Sequence, residues 1–166
     1  HNEDTRLPPE ISTSIARRKR SYVRNVVELL CFCVPKSKYI AEIRFSNLSF
    51  THDYFTRLCK SFSKSSSLKR FIVQQCSIQD SAADSLFSFL DPNKIEMIVL
   101  DNCGLSSSVI TSAIAFIRRK TVPQSEGINI ISLAGNKIPA SELQRVESAL
   151  HPSPTKTALL GKEEDP

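Results

Sequence analysis

The sequence predicts an α/β solenoid arc, with about four strands in a parallel inner sheet and helices on the outside. Three observations predict it. First, Leu68 to Ile78 reads LKRFIVQQCSI and puts Leu68, Phe71, Val73, Cys76 and Ile78 at positions 1, 4, 6, 9 and 11. That spacing is neither a helical period nor a plain strand alternation, and it fits a short strand running into a tight inward turn. Second, the frame recurs at Ile40 to Phe50 (IAEIRFSNLSF), Ile95 to Leu105 (IEMIVLDNCGL) and Ile128 to Ile138 (INIISLAGNKI), in steps of 28, 27 and 33 residues. Third, a segment with apolar residues at helical spacing follows every copy.

One strand-turn-helix unit cannot bury its apolar face alone, so it stacks on copies of itself. The aliphatic strand positions point into the stack. Position 9 needs a small side chain that can bond backbone groups exposed by the turn, and Cys76, Cys103 and Asn136 suit it. Leu48 departs from this in the first unit, as terminal repeats often do. The pattern L-x-x-L-x-L-x-x-N/C-x-L resembles a leucine-rich repeat. With units of about 28 residues and a full helix in each, the stretch from Ile40 to Leu150 is similar to the ribonuclease-inhibitor-like subclass. Tropomodulins, capping-protein regulators of actin, the Ran GTPase-activating protein and many immune sensors share that subclass. The resemblance implies architecture and leaves function open.

Taken in order, residues 1–21 form a polar leader that carries a basic cluster, with a short helix over Ser12 to Arg20. The repeat domain spans 22–151 and includes an N-terminal helix or cap. In that helix Val23, Val26, Val27, Leu30 and Val34 lie on one face, Tyr22, Leu29 and Cys33 widen it, and the spacing predicts a well-buried helix that ends before Pro35. Strands are expected near 42–46, 70–74, 97–101 and 130–134. The intervening helices run over Thr51 to Ser63, Asp80 to Leu90, Ser106 to Lys120 and Ser141 to Leu150, with Thr51 and either Asp80 or Ser81 as N-caps. The long third step fits a solvated loop at Arg118 to Gly127, and 152–166 is a C-terminal tail.

At 166 residues, 40% apolar and 23% charged, the chain has the make-up of a single globular domain. Its net charge of +5 is matched by Arg17, Arg18, Lys19, Arg20 and Arg24, without which 17 basic residues face 17 acidic ones. A nearly neutral repeat body argues against an extended nucleic-acid-binding face. Five cysteines, at 31, 33, 59, 76 and 103, point to reduced thiols and an intracellular, cytoplasmic setting. A nuclear location follows if Arg17 to Arg20 is an import signal. The longest apolar run, Val26 to Val34, is interrupted by Glu28 and is too short to cross a membrane. The chain begins at His1 without Met, as a fragment of a longer protein would.

Catalytic chemistry finds no frame. His1, His52 and His151 belong to no acid–base or nucleophile pattern, Ala134-Gly135-Asn136-Lys137 is a repeat turn, and Cys31-x-Cys33 lacks a second ligand pair. No enzyme activity, cofactor, metal or small-molecule substrate is expected. The strand residues outside the core frame should instead face outward on the concave sheet. They make Arg44, Arg70, Ile72, Gln74, Met97, Val99, Asp101 and Ile130 the candidate partner-binding face, with Ile72, Met97, Val99 and Ile130 as an exposed apolar centre. The expected function is a non-catalytic scaffold that binds another protein there. Two alternatives stand beside it. The resemblance implies a regulator of a small GTPase or of actin assembly, and Arg17, Arg18, Lys19, Arg20 and Arg24 allow an adaptor to acidic membrane or nucleic acid.

Overall fold

The structure is a computed structural model that describes residues 22–153. Within them a helix at 22–33 (α1) leads through a 3-10 turn, Val34–Lys36, into strand β1, Glu42–Ser46. Then follow α2 (His52–Phe62), β2 (Arg70–Gln74), α3 (Asp80–Phe89), β3 (Met97–Asp101), α4 (Val109–Arg118), β4 (Ile130–Ser132) and α5 (Ala140–Leu150). The strands lie in the order β1-β2-β3-β4 and every pair is parallel. Helices α2, α3 and α4 each carry the chain back to begin the next strand, and α2 to α5 pack in sequence along the outside. This is the expected architecture, with β4 two residues shorter than the frame predicts.

The repeat frame fills the interior. Phe71, Ile98, Val73, Leu100, Leu105 and Ile128 are essentially inaccessible, and Leu68, Ile78, Ile95 and Leu133 nearly so. The first unit is larger in its side chains. Phe45, Phe50, Phe55, Phe62 and Phe71 form a chain of ring contacts with centroids 5.1 to 6.1 Å apart. Edge-on and offset rings fill volume without sandwich repulsion, so the aromatic first unit closes the end of the stack where Ile40 and Leu48 are only partly covered.

Backbone bonds repeat with the frame. The carbonyls of Ala41, Lys69 and Glu96 each accept from two amides at the start of the next strand, at 2.8 to 3.2 Å. At position 8 the backbone turns left-handed in all four units, at Asn47 (φ 57°), Gln75 (φ 52°), Asn102 (φ 53°) and Gly135 (φ 70°). The amides of Asn47, Gln75 and Asn102 bond the carbonyls of Gln74, Asp101 and Ala134 in the next unit. Asn tolerates this region better than most residues and Gly best.

Two local expectations need correction. Helix α1 is buried only along the face of Val27 and its neighbours Val23, Val26 and Leu30, while Tyr22 and Leu29 are exposed. Among the described residues only one side of the helix has a neighbour. Helix α3 takes neither Asp80 nor Ser81 as N-cap, since Gln79 holds that position without a side-chain bond. The Asp80 carboxylate instead accepts from Ser106 N, Ser106 Oγ and Ser108 Oγ, and so ties α3 to the start of α4. The loop after α4 is exposed at its tip but anchored. Asn93 Oδ1 accepts from Thr121 N and Val122 N, Lys120 Nζ donates to Ile128 O, and Arg119 bonds the carbonyls of Phe87 and Leu90. Thr51 does cap α2, accepting from Tyr54 N at 3.3 Å.

Candidate functional site

The sheet register sorts the outward strand residues into three rows. Glu42, Arg70, Met97 and Ile130 form the first, and Arg44, Ile72, Val99 and Ser132 the second. Ser46, Gln74 and Asp101 form the third. Val99 therefore sits beside Ile72, and Ile130 beside Met97. None of the eight face residues belongs to the interior core, which is built from the alternate residues of the same strands.

Their exposure differs from the expected apolar centre. Ile72 is 5% and Val99 9% accessible, Met97 is half-buried, and Ile130 at 44% is the one apolar member clearly open to solvent. The reason is crowding. Ile72 and Val99 occupy the middle row of the two inner strands, so each has neighbours on all four sides: Arg70, Gln74, Arg44 and Val99 around Ile72, and Met97, Asp101, Ile72 and Ser132 around Val99. They form a second, thin apolar layer beneath a polar rim.

That rim is ordered. Glu42 Oε1 accepts from Arg70 Nε at 3.0 Å, and Glu42 Oε2 lies 3.7 Å from Arg44 Nη2, so two guanidinium groups share one carboxylate. On the other half, Asp101 Oδ1 accepts from Ser132 Oγ at 2.6 Å and from Ala134 N at 3.0 Å. The face is thus cationic at β1 and β2, anionic at β3, and apolar at Met97 and Ile130.

Position 9 works as expected in kind and shows two strengths. Cys76 Sγ donates to Gln74 O at 3.3 Å, and Cys103 Sγ to Asp101 O at 3.3 Å, both from buried thiols. Burial pushes the Cys103 thiol up to about 11 and raises that of Cys76 as well. Asn136 does more. Its Oδ1 accepts from Cys103 N (2.9 Å) and Leu105 N (3.0 Å), and its Nδ2 donates to Leu100 O (2.8 Å) and Leu133 O (2.9 Å).

No catalytic constellation forms among the described residues. His52 Nδ1 is 3.3 Å from Ser81 Oγ. His151 Nε2 is 2.9 Å from Asn129 O and 3.9 Å from Glu147. Among the described residues no group of three His, Cys, Asp or Glu is placed to hold a metal. Of the basic cluster, Arg24 is exposed on α1, and Arg17, Arg18, Lys19 and Arg20 lie outside the described residues. No described helix is long and apolar enough to cross a membrane. The apolar frame does not single out position 8, although Asn47, Asn102 and Gly135 in the same place of three frames are a signal for its left-handed turn.

The fold is that of a leucine-rich-repeat arc. No protein-family model and no curated protein sequence matches the chain. Among solved structures it is similar to the tropomodulin C-terminal domain of Caenorhabditis elegans, with a TM-score of 0.54 and 13% identity, over 83% of this chain and 99% of that one. It is also similar to the leiomodin-1 actin-binding site 2, with a TM-score of 0.52 and 10% identity, over 84% and 95% of the two chains. At these identities the likeness is one of fold.

Proposed function

We propose that this domain is a non-catalytic protein–protein interaction module that takes its partner on the concave sheet. The carrying observation is the face itself. Eight side chains from four parallel strands stand in register outside the core, with a shared-carboxylate arginine pair at one end, an oriented Asp101 at the other and an open Ile130 beside Met97. Apolar anchors within a polar rim are the usual make-up of a partner site. The units fit the ribonuclease-inhibitor-like subclass, since each carries a helix of ten or eleven residues on its outer side. An intracellular setting agrees with the free thiols.

The test is a pull-down with the domain as bait, repeated with Arg44→Glu and Ile130→Asp. Both positions are exposed, so both variants should fold. A specific partner lost from both variants supports the concave face, and one retained by both moves the site elsewhere. A second reading, actin as the partner, is favoured by the likeness in fold to the leiomodin-1 actin-binding site 2. Sedimentation with filaments and gel filtration with monomeric actin test it. Absence of binding to either form rejects actin and leaves the broader module reading in place.

A further inference from the structure

We infer that the N-terminal end of the arc is a second docking face, for an anionic lipid surface, separate from the concave sheet. Six large hydrophobic residues are exposed among the described residues, and four sit at this one end. They are Tyr22 (63%), Leu29 (60%), Phe32 (63%) and Tyr39 (92%). Tyr22, Leu29 and Phe32 are spaced i, i+7, i+10 on α1, which places them on one ridge. Val23, Val27 and Leu30 lie on the opposite side, against the core. Helix α1 is therefore apolar on two faces, and among the described residues only one of them is covered. A helix with an unpartnered apolar ridge needs a second apolar phase or a partner.

Charge identifies the occupant. Residues 17–38 carry seven basic side chains, Arg17, Arg18, Lys19, Arg20, Arg24, Lys36 and Lys38, against the single acid Glu28. The rest of the chain holds 15 basic and 16 acidic residues, so the whole net charge resides in this segment. Its aromatic and cationic groups are also joined, with Lys36 Nζ 3.6 Å above the centre of the Phe32 ring. An aliphatic and aromatic ridge flanked by lysine and arginine is the composition of a helix lying in the plane of a membrane interface. There the rings sit at headgroup level, each cation near the surface contributes attraction to acidic lipid, and a lysine stem lies along apolar surface while its head stays wet. Nucleic acid would use the cations and the rings but gains nothing from Leu29. The apolar ridge therefore favours lipid.

The test uses the full chain and vesicles of phosphatidylcholine, alone or with about 30% phosphatidylserine. Sedimentation should recover the protein with the anionic vesicles only, and about 0.5 M salt should release much of it. Leu29→Ser with Phe32→Ser should keep the thermal melt, since both side chains are exposed, and should weaken vesicle binding roughly tenfold or more. The chain has no Trp, so Phe32→Trp gives a single reporter. Its emission should shift to the blue on anionic vesicles and be quenched by a spin label on the acyl chain. Arg44→Glu, on the concave sheet, should bind vesicles as the parent does, which separates this face from the proposed partner site. Unchanged binding of the Leu29 and Phe32 double variant, an unshifted indole at position 32, or tighter retention of a single-stranded oligonucleotide than of the anionic vesicles would each overturn the inference.

Discussion

Asn136→Ala offers the sharpest test of how the units are joined. The side chain makes four bonds of 2.8 to 3.0 Å, two of them to the amides of Cys103 and Leu105 in the preceding unit and one to Leu100 O. A hydrogen bond typically contributes about 1 kcal/mol net, and a buried group left without a partner costs more. The partly exposed turn lets water reach some of the orphaned groups, which gives an expected loss of roughly 3 kcal/mol. That is a large share of the roughly 5–15 kcal/mol that holds a typical domain together. Cys103→Ala is the internal reference. It removes a weak S–H donor at 3.3 Å and a small buried volume, for about 1 kcal/mol. Asn136→Asp refines the test, because it keeps the acceptor for two amides but turns an oxygen towards the carbonyls of Leu100 and Leu133. It should be no better than Ala. Urea unfolding followed by circular dichroism measures all three. A loss for Asn136→Ala equal to or below that of Cys103→Ala would show that the bonds carry little of the joining energy, and the account of position 9 would fail.

Other expectations follow from the same geometry. Val99→Asp should destabilise by about 3 kcal/mol or more, because a carboxylate would be enclosed beside Ile72 and Asp101 without a cationic partner, and Ile72→Asp should cost less, since Arg44 stands across from it; unaltered urea midpoints for Val99→Asp would mean that the middle row is open to water. Cys76→Ala should cost about 1 kcal/mol, and the native thiols at 76 and 103 should react with a disulfide reagent only as fast as the fold opens. Rapid reaction of either in the folded protein, near neutral pH, would contradict their burial. Burial pushes the Asp80 carboxyl up, but bonds from Ser106 Oγ, Ser106 N and Ser108 Oγ outweigh it and hold the group below the ordinary carboxylate range. Its stabilising contribution is therefore present above the unfolded carboxylate pKa and is lost as pH falls through the lowered folded value. Asp80→Asn should flatten the acid side of the stability profile, and an unchanged acid limb would refute this. Gly127→Ala should be strongly destabilising, since φ is +68° there and a Cβ would collide with the backbone carbonyl of Pro92; a melt equal to that of the parent would show that the loop yields.

Much of this was legible in the sequence because the frame is a spacing rule. Positions 1, 4, 6 and 11 are set by which backbone positions face the interior, and Phe71, Val73, Ile98 and Leu100 could be placed there from order alone. The outward residues of the candidate face follow from the same alternation. Their accessibility does not, since it depends on which side chains stand around each on its own and the adjoining strands. Ile72 and Val99 were therefore expected in the open and are found covered. Asp80 misled in a related way. Three residues of local sequence read it as a helix cap, whereas its partners Ser106 and Ser108 lie one repeat further on. For α1, periodicity identified an apolar helix but could not say that its second face would meet no neighbour among the described residues.

The doubled amide bonds from Ala41, Lys69 and Glu96 each reach only the adjoining strand, and the outer helices likewise touch only those next in sequence. The described residues thus form a row of links with no tie across the row. Such a chain can be edited in whole links. Duplicating Leu68 to Lys94 in tandem would add one new junction, β2 against its own copy, in the same parallel backbone frame as those β2 already makes, and the five-unit product should fold with a longer sheet. Removing a few residues from within one link would break both of its junctions at once and leave two fragments, each with a bare end.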